Sequence, residues 1–210
     1  VYCRPGRTGG LANQPALSNV QRAELVAFLH DRFGLAQVRI TGGEPLLEKG
    51  VVELIQSIRR AAPRIEIAMT TNGRLLARKA QALRAAGLDR LNVSLDSLDA
   101  DVHRRMTGGE VGEVLRGLAA AAAAGFPAPK INTVVMRGFN DQEIADVAAW
   151  ALLRGHEIRC LEAMPIGPAA DANRRNFVSA QEIRESLGAR FTLEAQPAAA
   201  SDTAKRYLAS

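Results

Sequence analysis

Short β-branched runs alternate five times with Ala- and Leu-rich helical stretches, several of which stop at a glycine such as Gly34, Gly87, Gly125 or Gly155. Few folds accommodate that order. Strands are predicted at 37–41, 65–69, 90–94, 130–135 and 157–162. Ser18 with Gln21 forms a capping box that opens a helix over 18–33. Val51, Leu54, Ile55 and Ile58 recur at helical spacing, and further helices fit 75–86, 113–124 and 142–153. Ser179 with Glu182 caps one more, which runs to Gly188. Strands separated by crossover helices pair in parallel, with helices on the faces. The strands show no clean one-face alternation, as expected when both faces are buried. A (β/α) barrel, whole or partial, and a doubly wound sheet both satisfy the pattern. A complete eight-stranded barrel needs about 250 residues, more than the 210 present. Residues 163–210 differ in character, with Pro165, Pro168, Pro197 and the polar stretch 171–176, and are expected to form an extension packed beside the sheet.

Composition narrows the function classes. Apolar residues make up 47%, enough for a core, and 27 Lys and Arg oppose 22 Asp and Glu. The excess is nearly all arginine, scattered as at Arg59, Arg84, Arg90, Arg104 and Arg184, so it reads as a solvated basic face rather than a nucleic-acid groove. Aromatics at 4% leave few platforms for stacking bases. No stretch approaches the ~20 apolar residues of a membrane span, and no signal peptide opens the chain, so a cytoplasmic protein is expected. Two cysteines rule out a disulfide framework and a self-contained zinc module. Cys160, inside a predicted strand, reads as core.

The polar and glycine residues gather at strand ends, where sites lie in parallel α/β folds. The first strand ends in Thr41-Gly42-Gly43-Glu44-Pro45, the second in Thr70-Thr71-Asn72-Gly73, the third in Asn92-Val93-Ser94-Leu95-Asp96-Ser97. Lys130 and Asn132 lie on the fourth, Arg159 and Glu162 on the fifth, and Met164 follows it. Each set taken singly has a bland reading as turn chemistry, a helix cap or core filler. Together on one rim they describe a site. Gly42 and Gly43 would let a ligand approach the main chain. Glu44 would accept from a ligand ammonium. Arg39, Lys130 and Arg159 would supply charge for an anion such as a triphosphate.

These segments resemble a known family. Gly42-Gly43-Glu44-Pro45, some forty residues after Tyr2-Cys3, is similar to the radical S-adenosylmethionine (SAM) superfamily. The ordered set Arg39-Ile40-Thr41-Gly42-Gly43-Glu44-Pro45-Leu46, Thr70-Thr71-Asn72-Gly73, 91–99, 130–141 and 157–167 resembles the GTP 3′,8-cyclases of molybdenum cofactor biosynthesis. The resemblance implies a partial (β/α) barrel of the radical SAM type, first strand missing, over residues 1–150. Residues 151–210 would then hold the last core strand and the beginning of a C-terminal region.

It also implies residue roles. Cys3 would be the last of three ligands to a [4Fe–4S] cluster. Tyr2, Gly43, Ser94 and Met164 would contact SAM, and Arg39, Thr70 and Lys130 would contact GTP, with Arg159 an addition. Reductive cleavage of SAM would give a 5′-deoxyadenosyl radical that takes hydrogen from C3′ of GTP. The ribose carbon then bonds to C8, giving 3′,8-cyclo-7,8-dihydro-GTP, which a cyclic pyranopterin monophosphate synthase consumes. The family's other two cysteines for this cluster, its second [4Fe–4S] cluster and its Gly-Gly tail have no counterpart here. The expectation is therefore a segment truncated at both ends, inactive alone and unable to hold a stable cluster on one thiolate. The residues fix neither the electron donor nor the oligomeric state, a homodimer included. Two alternatives stand beside this reading: a peptide-modifying radical SAM enzyme, and a cluster-less nucleotide-binding remnant.

Overall fold

The computed structural model describes residues 17–165, 169–197 and 204–210. Tyr2 and Cys3 lie outside them. Helix α1 (Asn19–Phe33) is followed by β1 (Gln37–Ile40), a 3₁₀ turn (Pro45–Leu47), α2 (Val51–Ala61), β2 (Glu66–Thr71), α3 (Leu76–Ala85) and β3 (Arg90–Ser94). Then come α4 (Ala100–Thr107), α5 (Val111–Ala123), β4 (Lys130–Val135), α6 (Ile144–Leu152) and β5 (Ile158–Glu162). The remainder is α7 (Ala170–Arg175), α8 (Ala180–Gly188), β6 (Leu193–Ala195) and β7 (Tyr207–Ala209).

Strands β1 to β5 form one parallel sheet in sequence order, the arrangement that right-handed crossovers produce. It is the parallel α/β sheet expected, and a partial barrel is compatible with it. Both predicted capping boxes are present, Ser18 with Gln21 and Ser179 with Glu182. Helix α2 buries Val51, Leu54, Ile55 and Ile58, the four residues whose spacing marked it. They join Ile67, Met69, Leu91, Val93 and Ile131 of the strands in the main core. The helices α3 and α5 approach closely because Gly117 offers no side chain. A Cβ there would sit 2.4 Å from the Gly73 carbonyl oxygen and 3.1 Å from Leu76 Cβ.

The extension packs beside the sheet as expected. Val178 and Ile183 meet Val135 and Ile144, with Cys160 and Leu187 packed against them. The antiparallel β6–β7 pair was not predicted, and neither was α4. Asp99 caps α4 by accepting from the amides of Asp101 and Val102.

Asp96 braces the sheet. The β3–β4 ladder ends at Ser94 and Asn132, and side chains continue it. The Val134 amide donates to Asp96 Oδ1 at 2.9 Å, and the Thr133 hydroxyl donates to the Leu95 carbonyl at 2.8 Å. Asn140 Nδ2 donates to the carbonyls of Asp96 and Val134, while its Oδ1 accepts from the Met136 amide. Arg59, read from sequence as a surface charge, clamps the opposite strand ends. Its guanidinium donates to the carbonyls of Pro63, Ile65 and Gly87, each at 2.8 Å, and pairs with Asp89.

Candidate functional site

Side chains two residues apart on a strand share a face, and the register aligns them across the sheet. Thr70 lies beside Asn92, and Asn92 beside Lys130. The next row holds Ser94, Asn132 and Arg159. A third holds Arg39, Ala68 and Arg90. This face is not sealed as the strand sequences led us to expect. On β4, buried Ile131, Thr133 and Val135 alternate with half-buried Lys130, Asn132 and Val134. One face meets the helices, and the other is a polar inner face.

Above it opens a cleft of about 760 Å³. Thr41, Gly42, Gly43 and Glu44 line it from the loop after β1, and Thr70, Thr71 and Asn72 from the end of β2. Ser94, Asn132, Val134 and Leu161 line it from β3, β4 and β5, Arg74 lines it from the turn before α3, and residues 103–108 of α4 and its C-terminal turn form one wall. Of the residues to which the resemblance gives SAM or GTP contacts, Gly43, Thr70 and Ser94 line this cleft. Arg39, Lys130 and Arg159 share parity with them on the strands without lining it. Met164 follows β5, is 64% exposed, and its carbonyl accepts from Asn173 Nδ2.

The loop after β1 is held rigidly. Glu44 Oε1 accepts from the Thr71 hydroxyl at 2.7 Å and the Leu46 amide at 3.0 Å, and Oε2 accepts from the Asn72 amide at 2.7 Å. The carboxylate expected to meet a ligand ammonium thus meets protein donors. Gly42 has φ 140°, and a Cβ built at Gly42 or Gly43 meets nothing within 4 Å. Bare backbone therefore faces the cleft, with no side chain between its main-chain groups and the open space.

The inner face carries Arg39, Arg90, Lys130 and Arg159 against Glu66 and Glu157, a net cationic set. Lys130 Nζ, with a side chain 16% exposed, lies 2.6 Å from Glu157 Oε2, and Arg159 Nε lies 3.2 Å from Oε1 of the same carboxylate. Burial pushes the Glu157 carboxyl up, but the hydrogen bonds from Lys130 and Arg159 outweigh it and hold the group below its ordinary value. Gln37 bonds Glu66, which also pairs with Arg90 at 3.7 Å.

Sequence reasoning placed Asn92 at a strand end without giving it a role, read Arg90 as a scattered surface charge, and missed the α4 wall. Strand parity was the available signal, because Arg90 and Asn92 stand four and two residues before Ser94. His103 in the wall is 3% exposed, and burial lowers its pKa, opposed by the charge of Glu110. Burial raises the Cys160 thiol to about 12, so it stays protonated at neutral pH. Among the described residues no cluster of three or more His, Cys, Asp or Glu could hold a metal ion, and no helix is long and apolar enough to cross a membrane.

Comparison with known proteins agrees with this architecture. The chain is 42% identical over 201 residues to a GTP 3′,8-cyclase of Paenarthrobacter nicotinovorans, covering 95% of this chain and 57% of the relative. It is 41% identical over 198 residues to a GTP 3′,8-cyclase of Streptomyces coelicolor, covering 93% and 58%. The chain thus spans less than two thirds of the length of these curated relatives. Native anSMEcpe with bound AdoMet superposes with a TM-score of 0.61 at 16% identity, over 78% of this chain and 47% of that one. Coproporphyrinogen III oxidase (HemN) from Escherichia coli, a radical SAM enzyme, gives 0.55 at 18% identity, over 90% and 47%. At such identities the likeness shows the fold. The model of the radical SAM superfamily, whose cofactors are a [4Fe–4S] cluster and SAM, matches residues 1–151. The chain belongs to the radical SAM superfamily.

Proposed function

We propose that the chain is the core of a GTP 3′,8-cyclase, with SAM at the Gly42-Gly43 edge of the cleft and GTP over the cationic inner face. The observation that carries this reading is the set of cations behind the cleft: Arg39, Lys130 and Arg159 stand on the inner face of three different strands. A triphosphate asks for guanidinium and ammonium partners, and a neutral peptide does not. Lys130 is held by Glu157, so a bound triphosphate draws Lys130 and Arg159 away from a carboxylate they already share. Thr70 offers a hydroxyl on the row that ends at Lys130.

On this reading Gly43, Ser94, Met164 and Tyr2 contact SAM, and Cys3 is a cluster ligand; Tyr2 and Cys3 lie outside the described residues. With SAM, the cluster supplies a 5′-deoxyadenosyl radical for hydrogen abstraction. The chain's own residues orient the two nucleotides and keep water out. The product is 3′,8-cyclo-7,8-dihydro-GTP. Residues 1–150 form the radical SAM core on this reading, and 151–210 its last strand and the start of a C-terminal region. The test is anaerobic reconstitution of the protein in its natural length, followed by assay of 5′-deoxyadenosine. Its formation is expected to need both SAM and GTP. Formation that is indifferent to GTP, or no formation at all, would overturn the proposal.

A further inference from the structure

Two cations share one carboxylate on the inner face. Lys130 Nζ lies 2.6 Å from Glu157 Oε2, and Arg159 Nε lies 3.2 Å from Oε1. Strand geometry brings the three together. Glu157 stands two residues before Arg159, so their side chains share a face. The Ile131 amide donates to the Glu157 carbonyl at 2.8 Å, which pins this main chain beside Lys130. The Lys130 side chain is 16% exposed and the Glu157 side chain 49%. The ammonium group therefore needs a partner on the face, whereas the carboxylate has water to turn into. Burial pushes the Glu157 carboxyl up, and the hydrogen bonds from Lys130 and Arg159 pull it below its ordinary value, so it is ionised at neutral pH.

An anion on this face takes the same two cations. It displaces the carboxylate and then lies close to a negative charge that the pinned main chain keeps near. The repulsion between them grows with the charge the ligand brings. A neutral side chain of the same shape, such as glutamine, would still accept a hydrogen bond from either cation without opposing an anion. We propose that Glu157 is a positioning residue that competes with the phosphates of a bound nucleotide for Lys130 and Arg159, and so limits how tightly the site holds them. The inference rests on the nucleotide reading above. An ion pair that served stability alone would behave differently: removing its charge would leave anion binding unchanged or weaken it.

The test measures labelled GTP, guanosine and SAM by equilibrium dialysis against anaerobically reconstituted protein, with wild type, Glu157→Gln and Glu157→Ala compared. Both substitutions remove the charge, and the first keeps the shape. GTP is expected to bind at least about threefold more tightly to Glu157→Gln, and guanosine and SAM to bind as to wild type within about twofold. Glu157→Ala is expected to shift GTP in the same direction. Loss of structure lowers affinity for every ligand, so a gain confined to the phosphorylated one reports the charge. GTP binding that is unchanged or weaker in both variants overturns the role of Glu157 while leaving the nucleotide reading in place. An equal gain for guanosine also overturns it, since the phosphates would then not be what Glu157 opposes. Wild-type protein that binds GTP no more tightly than guanosine overturns the reading of a triphosphate on the cationic face together with this inference.

Discussion

The Glu44 carboxylate accepts a hydrogen bond from the Thr71 hydroxyl at 2.7 Å, tying the loop after β1 to the end of β2. With the Asn72 and Leu46 amides as further donors, one side chain fixes the backbone that edges the cleft. Glu44→Ala leaves three donors without their acceptor, and hydrogen bonds to a charged group contribute about 1.5–3 kcal/mol each at most. The expected outcome is a loss of about 1–3 kcal/mol in urea unfolding together with weaker SAM binding. Glu44→Gln should also lose SAM affinity, because its NH₂ group faces a donor. Unchanged stability and affinity in both variants would remove Glu44 from this role.

The same residue shows how far the sequence reaches. The Gly42-Gly43-Glu44-Pro45 segment reads as a site from its residue types and spacing, whereas the chemistry of Glu44 does not, because its partners come from β2. The strand–helix alternation and both capping boxes are legible because they are local signals. The spans read for β3 and β4 match the structure residue for residue. Helix α4 is not legible: at eight residues it has little room for periodicity, and its cap Asp99 sits inside a segment dense with polar residues. The three-residue strands β6 and β7 are too short to show alternation. The open inner face follows strand parity. Ile67, Met69, Thr71, Leu91 and Val93 are buried toward the helices, whereas on the other face of β2 and β3 only Ala68 and Asn92 are buried, and β4 alternates in the same way.

The approach of α3 to α5 depends on Gly117. An added Cβ would lie 2.4 Å from a backbone oxygen, which cannot rotate away as a side chain can. Gly117→Ala should cost about 1–3 kcal/mol, measured by chemical denaturation, even though alanine has the higher helix propensity. An unchanged or raised midpoint would contradict this packing.

Two histidines, buried His103 and half-buried His156, set a pH dependence. Burial lowers the pKa of His103 and of His156, and in His156 this outweighs the bond between Nδ1 and the Pro129 carbonyl at 2.8 Å. The unfolded chain takes up protons near its ordinary histidine value of about 6.5, before the folded one does. Stability from these groups is therefore complete above that pH and is lost as pH falls through the lower folded values. The melting temperature should fall between pH 7.5 and pH 6, and the double variant His103→Phe, His156→Phe should flatten the slope. A slope unchanged in that variant would assign the dependence to other groups.

The account stands or falls on what the cationic inner face holds. Dialysis of labelled GTP against anaerobically reconstituted protein, wild type beside Lys130→Ala, tests this most directly. Lys130 lies on the inner face with its charge turned to Glu157 at 2.6 Å. Removing its ammonium group should weaken GTP at least tenfold, the loss of about 1.4 kcal/mol or more expected for one charged hydrogen bond, while SAM binding is retained. Equal GTP binding by the two proteins would contradict the central claim.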